Sequence, residues 1–121
     1  MAAFATVCGS REGPIVRIPI LMYHRVGKGG ADRLYTVTPA LFERHMRFLA
    51  GQGYRVIGLD AGLEALDGRQ AAPPRAVALT FDDGFEETYL QACPVLERLG
   101  FTATFFVLSR LMGGTSAWME L

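Results

Sequence analysis

Cysteine, lysine, histidine and long apolar runs are all scarce in this chain, and each scarcity excludes something. Cys8 and Cys93, the two cysteines, show no framework spacing and no Cys-x-x-Cys pattern, so there is no disulfide scaffold or thiolate metal cluster to build on. Each reads as a free thiol; Cys93, set in an apolar stretch, reads as a small buried side chain. Lys28 is the only lysine, and twelve basic residues cancel twelve acidic ones, so no general attraction to nucleic acid or an anionic membrane is expected. No apolar run reaches the roughly eighteen residues that a membrane helix needs. Met1 to Cys8 is mildly apolar but lacks a basic leader and the length of a secretory core, so no signal peptide is visible.

What is abundant is apolar surface. Half of the 121 residues are hydrophobic and a fifth are charged, the balance of one globular domain. Residues 1–14 carry no period and include Gly9, Ser10, Gly13 and Pro14, so they read as a flexible lead. Ile15 to Tyr23 then reads as a first strand, with Pro19 at an edge or bulge. Thr38 and Pro39 open a helix to about Ala50, with Leu41, Phe42, His45, Met46 and Leu49 on one face. His45 therefore reads as a packing residue. Tyr54 to Leu59 reads as a second strand, followed by a short helix capped by Asp60 and ending near Gly68.

The third strand, Ala76 to Phe81, is continuously apolar and ends in Asp82, Asp83 and Gly84. Phe85 to Leu99 reads as a helix that Pro94 should kink or split, Gly100 as its C-cap, and Thr102 to Leu108 as a fourth strand. Such alternation predicts an α/β fold of about four mostly parallel strands with flanking helices, curled by right-handed crossovers toward a partial barrel. Four strands cannot close one. The edge after the fourth strand is expected to pair with the rest of a domain or with a second chain. In this architecture the carboxyl ends of strands carry the chemistry, which singles out Asp82 and Asp83. Gly84 reads as a structural turn residue with a positive backbone angle.

Three segments taken together resemble the polysaccharide deacetylase family, also called the NodB-homology or carbohydrate esterase 4 family. They are Ile20-Leu21-Met22-Tyr23-His24-Arg25-Val26, Thr80-Phe81-Asp82-Asp83-Gly84, and the run from Gly100 to Val107. The first is most similar to the branch that trims poly-N-acetylglucosamine. The resemblance covers about Ile18 to the end, the amino-terminal half of such a catalytic domain. It implies an irregular (β/α) barrel, with Asp82 as catalytic base and Asp83 as ligand to a divalent metal, commonly zinc. The implied activity is metal-dependent hydrolysis of N-acetyl groups from an amino-sugar polysaccharide, cleaving a non-peptide carbon–nitrogen bond, in the cell envelope. Family members complete the metal site with a His-x-x-x-His-type pair. The only histidines here are His24 and His45, so residues 15–121 read as a domain truncated before that motif, with the histidine ligands missing and little activity expected of the chain alone.

The two aspartates suit this division of labour because successive side chains leave an extended backbone in different directions. His24 is either a neighbour of the acidic pair or a buried histidine satisfied by backbone groups. Tyr23 and Arg25 are possible glycan contacts, Arg25 alternatively pairing with a surface carboxylate. Trp118 stacks on a sugar or packs. Phosphoryl transfer fits poorly, since a haloacid-dehalogenase-type motif separates its aspartates by one residue and a receiver domain needs a lysine after a later strand. A glycosidase would need a second, distant carboxylate. The remaining alternative is a glycan-binding or assembly module with a vestigial site.

Overall fold

A computed structural model describes residues 2–4, 15–28 and 34–115, the first three as backbone. Its centre is the strand that the sequence marks as continuously apolar, Ala76–Phe81, which is buried along its whole length. In chain order the strands are β1 (Ala2–Phe4), β2 (Pro19–Tyr23), β3 (Arg25–Val26), β4 (Thr36–Val37), β5 (Arg55–Ile57), β6 (Ala76–Phe81) and β7 (Thr104–Phe105). The helices are α1 (Pro39–Gly51), α2 (Leu59–Leu66) and α3 (Glu86–Leu99). The expected α/β fold with mostly parallel strands is present.

On one side of β6 lies β2, parallel, from Ile20 opposite Ala78 to Tyr23 opposite Phe81. On the other side β5 pairs with Ala76 to Ala78 and β7 with Thr80 and Phe81, both parallel. Ala78 meets both Ile20 and Ile57, and Thr80 meets both Met22 and Thr104, so β5 and β7 share one edge of β6 in succession. A separate two-stranded parallel ladder joins β3 to β4.

The pleat of β6 divides the core. Val77, Leu79 and Phe81 pack into a cluster with Phe42, Met46 and Leu49 of α1 and Ala92, Val95 and Leu96 of α3. Ala76 instead joins Ile18 and Ala65 in a smaller cluster under α2. The Thr38 hydroxyl caps α1 by accepting from the Leu41 N–H at 3.2 Å, as the Thr-Pro pair predicts.

Several expectations are corrected in detail. The lead expected to be flexible over residues 1–14 contributes β1, antiparallel to β2; residues 5–14 lie outside the described residues. The first strand is confined to Pro19–Tyr23, and Ile15 and Val16 are exposed. Asp60 sits inside the first turn of α2, where its charge suits the helix dipole, and Gly58 takes the cap position. Pro94 does not split α3: the carbonyl it leaves unbonded belongs to exposed Leu90, where solvent can satisfy it. The fourth strand shrinks from 102–108 to Thr104–Phe105 because β6 ends at Phe81 and its pairing runs out, leaving Phe106 and Val107 exposed before a short helical turn at Ser109–Leu111.

Candidate active site

Phe81, the last residue of β6, is fixed by stacking on Phe105 at 4.6 Å and on Tyr23 at 5.4 Å between ring centroids. The N–H of Asp82 donates to the Tyr23 carbonyl at 2.9 Å, carrying the β2–β6 ladder one residue further. Asp83 and Gly84 then both take left-handed backbone angles, φ 70° and 65°. Asp tolerates that region better than most residues, and Gly occupies it without penalty. A Cβ on Gly84 would lie 3.3 Å from the Val107 Cα, so this glycine also lets the turn approach the chain beyond β7.

The expected grouping of Asp82 with His24 is found. His24 Nε2 stands 3.9 Å from Asp82 Oδ2, both side chains about a quarter to a third exposed. The separation is too long for a direct hydrogen bond and short enough for electrostatic coupling. The ring of His24 rests against Tyr35 at 5.0 Å. His24 borders a cavity of about 560 Å³ whose lining includes Tyr23, Tyr35, His45, Phe48 and Tyr54 among aliphatic side chains. Asp83 borders a different cavity of about 660 Å³, with Gly84, Glu86, Val107 and residues 111–115. Asp82 lines neither of these two cavities; its stated neighbour is the His24 ring.

Tyr23 and Arg25 both find partners within the chain, Arg25 in the carboxylate pairing that was its alternative. Tyr23 is 9% exposed and its hydroxyl bonds to His45 Nδ1 at 3.0 Å. Burial pushes its pKa up to about 12. His45 is held below its ordinary range, chiefly by burial and then by nearby positive charge including Arg44. His45 is therefore a polar partner of the core as well as a packing residue. Arg25 gives its guanidinium to Glu87, donating from Nε at 3.0 Å and Nη2 at 2.8 Å. Burial and the Glu97 charge raise the thiol of half-buried Cys93. Cys8 and Trp118 lie outside the described residues.

Two residues escape the sequence reading. Glu87 receives Arg25 and the Lys28 N–H, and Arg25 is the first cause of its carboxyl lying below the usual range. Thr88, fully buried, accepts from the Val26 N–H and donates to the His24 carbonyl. The only signal in sequence was acid in the first turn of a helix, which a dipole explains equally well.

Asp83 and Glu86 put two carboxylates on one cavity, short of the four donors that zinc usually takes. Among the described residues no group of three or more His, Cys, Asp or Glu could hold a metal ion, so these residues alone do not fit the implied metal. No helix among them is long and apolar enough to cross a membrane.

A family model for polysaccharide deacetylase matches residues 69–120. YxkH of Bacillus subtilis (strain 168), named for the polysaccharide deacetylases, is 34% identical over 97 residues, covering 80% of this chain and 34% of its own. Poly-beta-1,6-N-acetyl-D-glucosamine N-deacetylase of Escherichia coli (strain K12) is 29% identical over 86 residues, 70% of this chain and 13% of that protein. The solved Streptococcus pyogenes deacetylase PplD superimposes with a TM-score of 0.73 at 30% identity, over 84% of this chain and 47% of that one. IcaB from Ammonifex degensii gives 0.73 at 30% identity, over 81% and 41%. The chain spans about a third of YxkH and under half of each of these structures.

Proposed function

We propose, for a chain whose residues 69–120 match the polysaccharide deacetylase family model and whose fold resembles that of solved deacetylases, that Asp82 and Asp83 belong to a site removing N-acetyl groups from an amino-sugar polysaccharide. The observation that carries this reading is Asp82 at the carboxyl end of the central strand, with His24 Nε2 3.9 Å from its carboxylate. The N-deacetylase relative acting on poly-beta-1,6-N-acetyl-D-glucosamine makes a polymer of that class the substrate to try first.

Amide hydrolysis adds water across the acetyl carbon–nitrogen bond and releases acetate and a free amine. Asp82 accepts the proton of the attacking water as the carbon–oxygen bond forms. His24 stands beside the Asp82 carboxylate on the side of the β2–β3 junction. Asp83, on the neighbouring cavity, would offer one carboxylate toward a divalent metal, read as zinc, whose chemistry there would be to polarise a carbonyl and acidify water. The described residues do not complete its ligands. The same reading has exposed Phe106 and Val107, just past β7, covered by the rest of the domain or by a second chain, and sets the protein in the cell envelope.

The test is acetate release from N-acetylglucosamine oligomers, by the chain alone and by the chain supplied with the remaining length found in its relatives. The completed protein should release acetate in a chelator-sensitive manner, and the isolated chain little or none. Undiminished release in Asp82→Asn would overturn the assignment of the base. The shortfall of metal donors favours one second reading, a glycan-binding module without turnover. It predicts oligosaccharide binding with no acetate even from the completed protein.

A further inference from the structure

His24 is the single residue between β2, which ends at Tyr23, and β3, which begins at Arg25, and the two strands belong to different sheets. A one-residue junction between sheets can pivot, and something must hold it if the His24 ring is to stay against Asp82.

We infer that the first turn of α3 is the device that holds it, with Thr88 and Glu87 as positioning residues. The Thr88 hydroxyl donates to the His24 carbonyl at 3.2 Å and accepts from the Val26 N–H at 3.0 Å, bridging the two sides of the junction with the donor and acceptor capacity that a hydroxyl has. It is 1% exposed, so no water can replace it cheaply. One residue earlier, Glu87 Oε2 receives the Arg25 guanidinium and Oε1 receives the Lys28 N–H at 3.1 Å. Gly27 makes room for that carboxylate, because a Cβ there would stand 2.5 Å from Glu87 Oε1. Residues 24 to 28 are thereby tied to two consecutive side chains of α3. The same helix begins directly after the Asp83–Gly84 turn, so it carries Asp82 by the chain and His24 by these bonds. The functional meaning of the device rests on the site reading above; the geometry stands apart from it.

The chain contains two histidines, which makes an internal control possible. Thr88→Val, Thr88→Ser and Glu87→Gln are treated, each as the whole chain, with diethyl pyrocarbonate at fixed pH, and acylation of His24 and His45 is followed separately by peptide mass spectrometry. Thr88→Val, which loses both hydrogen bonds of the hydroxyl, should acylate His24 at least about fivefold faster, with His45 unchanged. Thr88→Ser should restore the original rate, and Glu87→Gln, which keeps the packing, should give a smaller rise confined to His24. Equal acceleration at both histidines, or an unchanged rate at His24 in Thr88→Val and Glu87→Gln, would overturn the inference. If the pattern holds while the completed protein releases no acetate, the positioning stands and the deacetylase reading falls.

Discussion

Gly84 and Gly100 have nearly the same backbone angle, φ 65° and 66°, but different surroundings. Their alanine variants therefore separate two costs that usually arrive together. At Gly100, the C-cap of α3, a Cβ would meet nothing within 4 Å. Gly100→Ala should cost only the left-handed penalty, about 1–2 kcal/mol, less about 0.4–1 kcal/mol from the stiffer unfolded chain. The net is about 1 kcal/mol. At Gly84 the same Cβ would lie 3.3 Å from both Val107 Cα and Cγ1. Forcing it in adds an overpacking cost of about 1–3 kcal/mol, for a total of about 2–4 kcal/mol. Urea unfolding of both variants, compared through midpoints at unchanged slope, measures the difference. Val107→Ala in the Gly84→Ala background should recover part of the loss, since it removes the Cγ1 contact and leaves the backbone one. If Gly84→Ala costs no more than Gly100→Ala, the close approach between the acidic turn and the chain after β7 does not constrain the native state.

Further outcomes are expected elsewhere. Because Tyr23 titrates near 12 when folded against 10.0 ordinarily, the folded chain keeps a proton that the unfolded chain loses; its contribution is complete below pH 10 and falls as pH rises from 10 toward 12. Urea midpoints from pH 9 to 12 should show that slope, worth about 2 kcal/mol, and Tyr23→Phe should flatten it. His45, lowered from 6.5, adds the opposite limb: stability present above about pH 6.5 and lost as pH falls through the lower folded value, a loss that His45→Gln should remove from acid titrations. Pro94→Ala, on the exposed face of α3, should raise the unfolding midpoint, with a gain in unfolding free energy of at most about 3 kcal/mol. In the completed protein Asp82→Ala should keep its metal, measured by elemental analysis, yet lose roughly a hundredfold to ten-thousandfold in acetate release, whereas Asp83→Ala should lose both together.

The parts legible in sequence are those governed by local pattern. An unbroken apolar run marked β6, a Thr-Pro pair marked the start of α1, and Gly100 marked the end of α3. The approach of His24 to Asp82 followed from two strand ends placed on one edge of a parallel sheet. What escaped depends on distant partners. No periodicity says that Glu87 reaches Arg25 and Lys28, or that Thr88 bridges His24 and Val26, across some sixty residues of chain. The place of Tyr23 beside His24 is visible in sequence, whereas the His45 ring that takes its hydroxyl comes from α1. The fourth strand was overextended because an apolar run gives the wish to be buried but not the length of neighbour available to bury it.

The pairing of β2 with β6 also sets an order of events in folding. Ile20 and Ala78 are neighbours in the sheet, so the loop they close spans nearly half the chain, and closure entropy must be met before the ladder can return any of it. The local pieces, α1 and α3, can flicker into being long before that. His24 and Asp82, however, flank this one ladder, and they are brought together only when it zips. On a ribosome, His24 would emerge early and wait, its partner arriving with the fifty-eighth residue after it. The grouping of His24 with Asp82 is thus made by a long-range contact, and a chain that stalls before that contact carries both residues and none of their geometry.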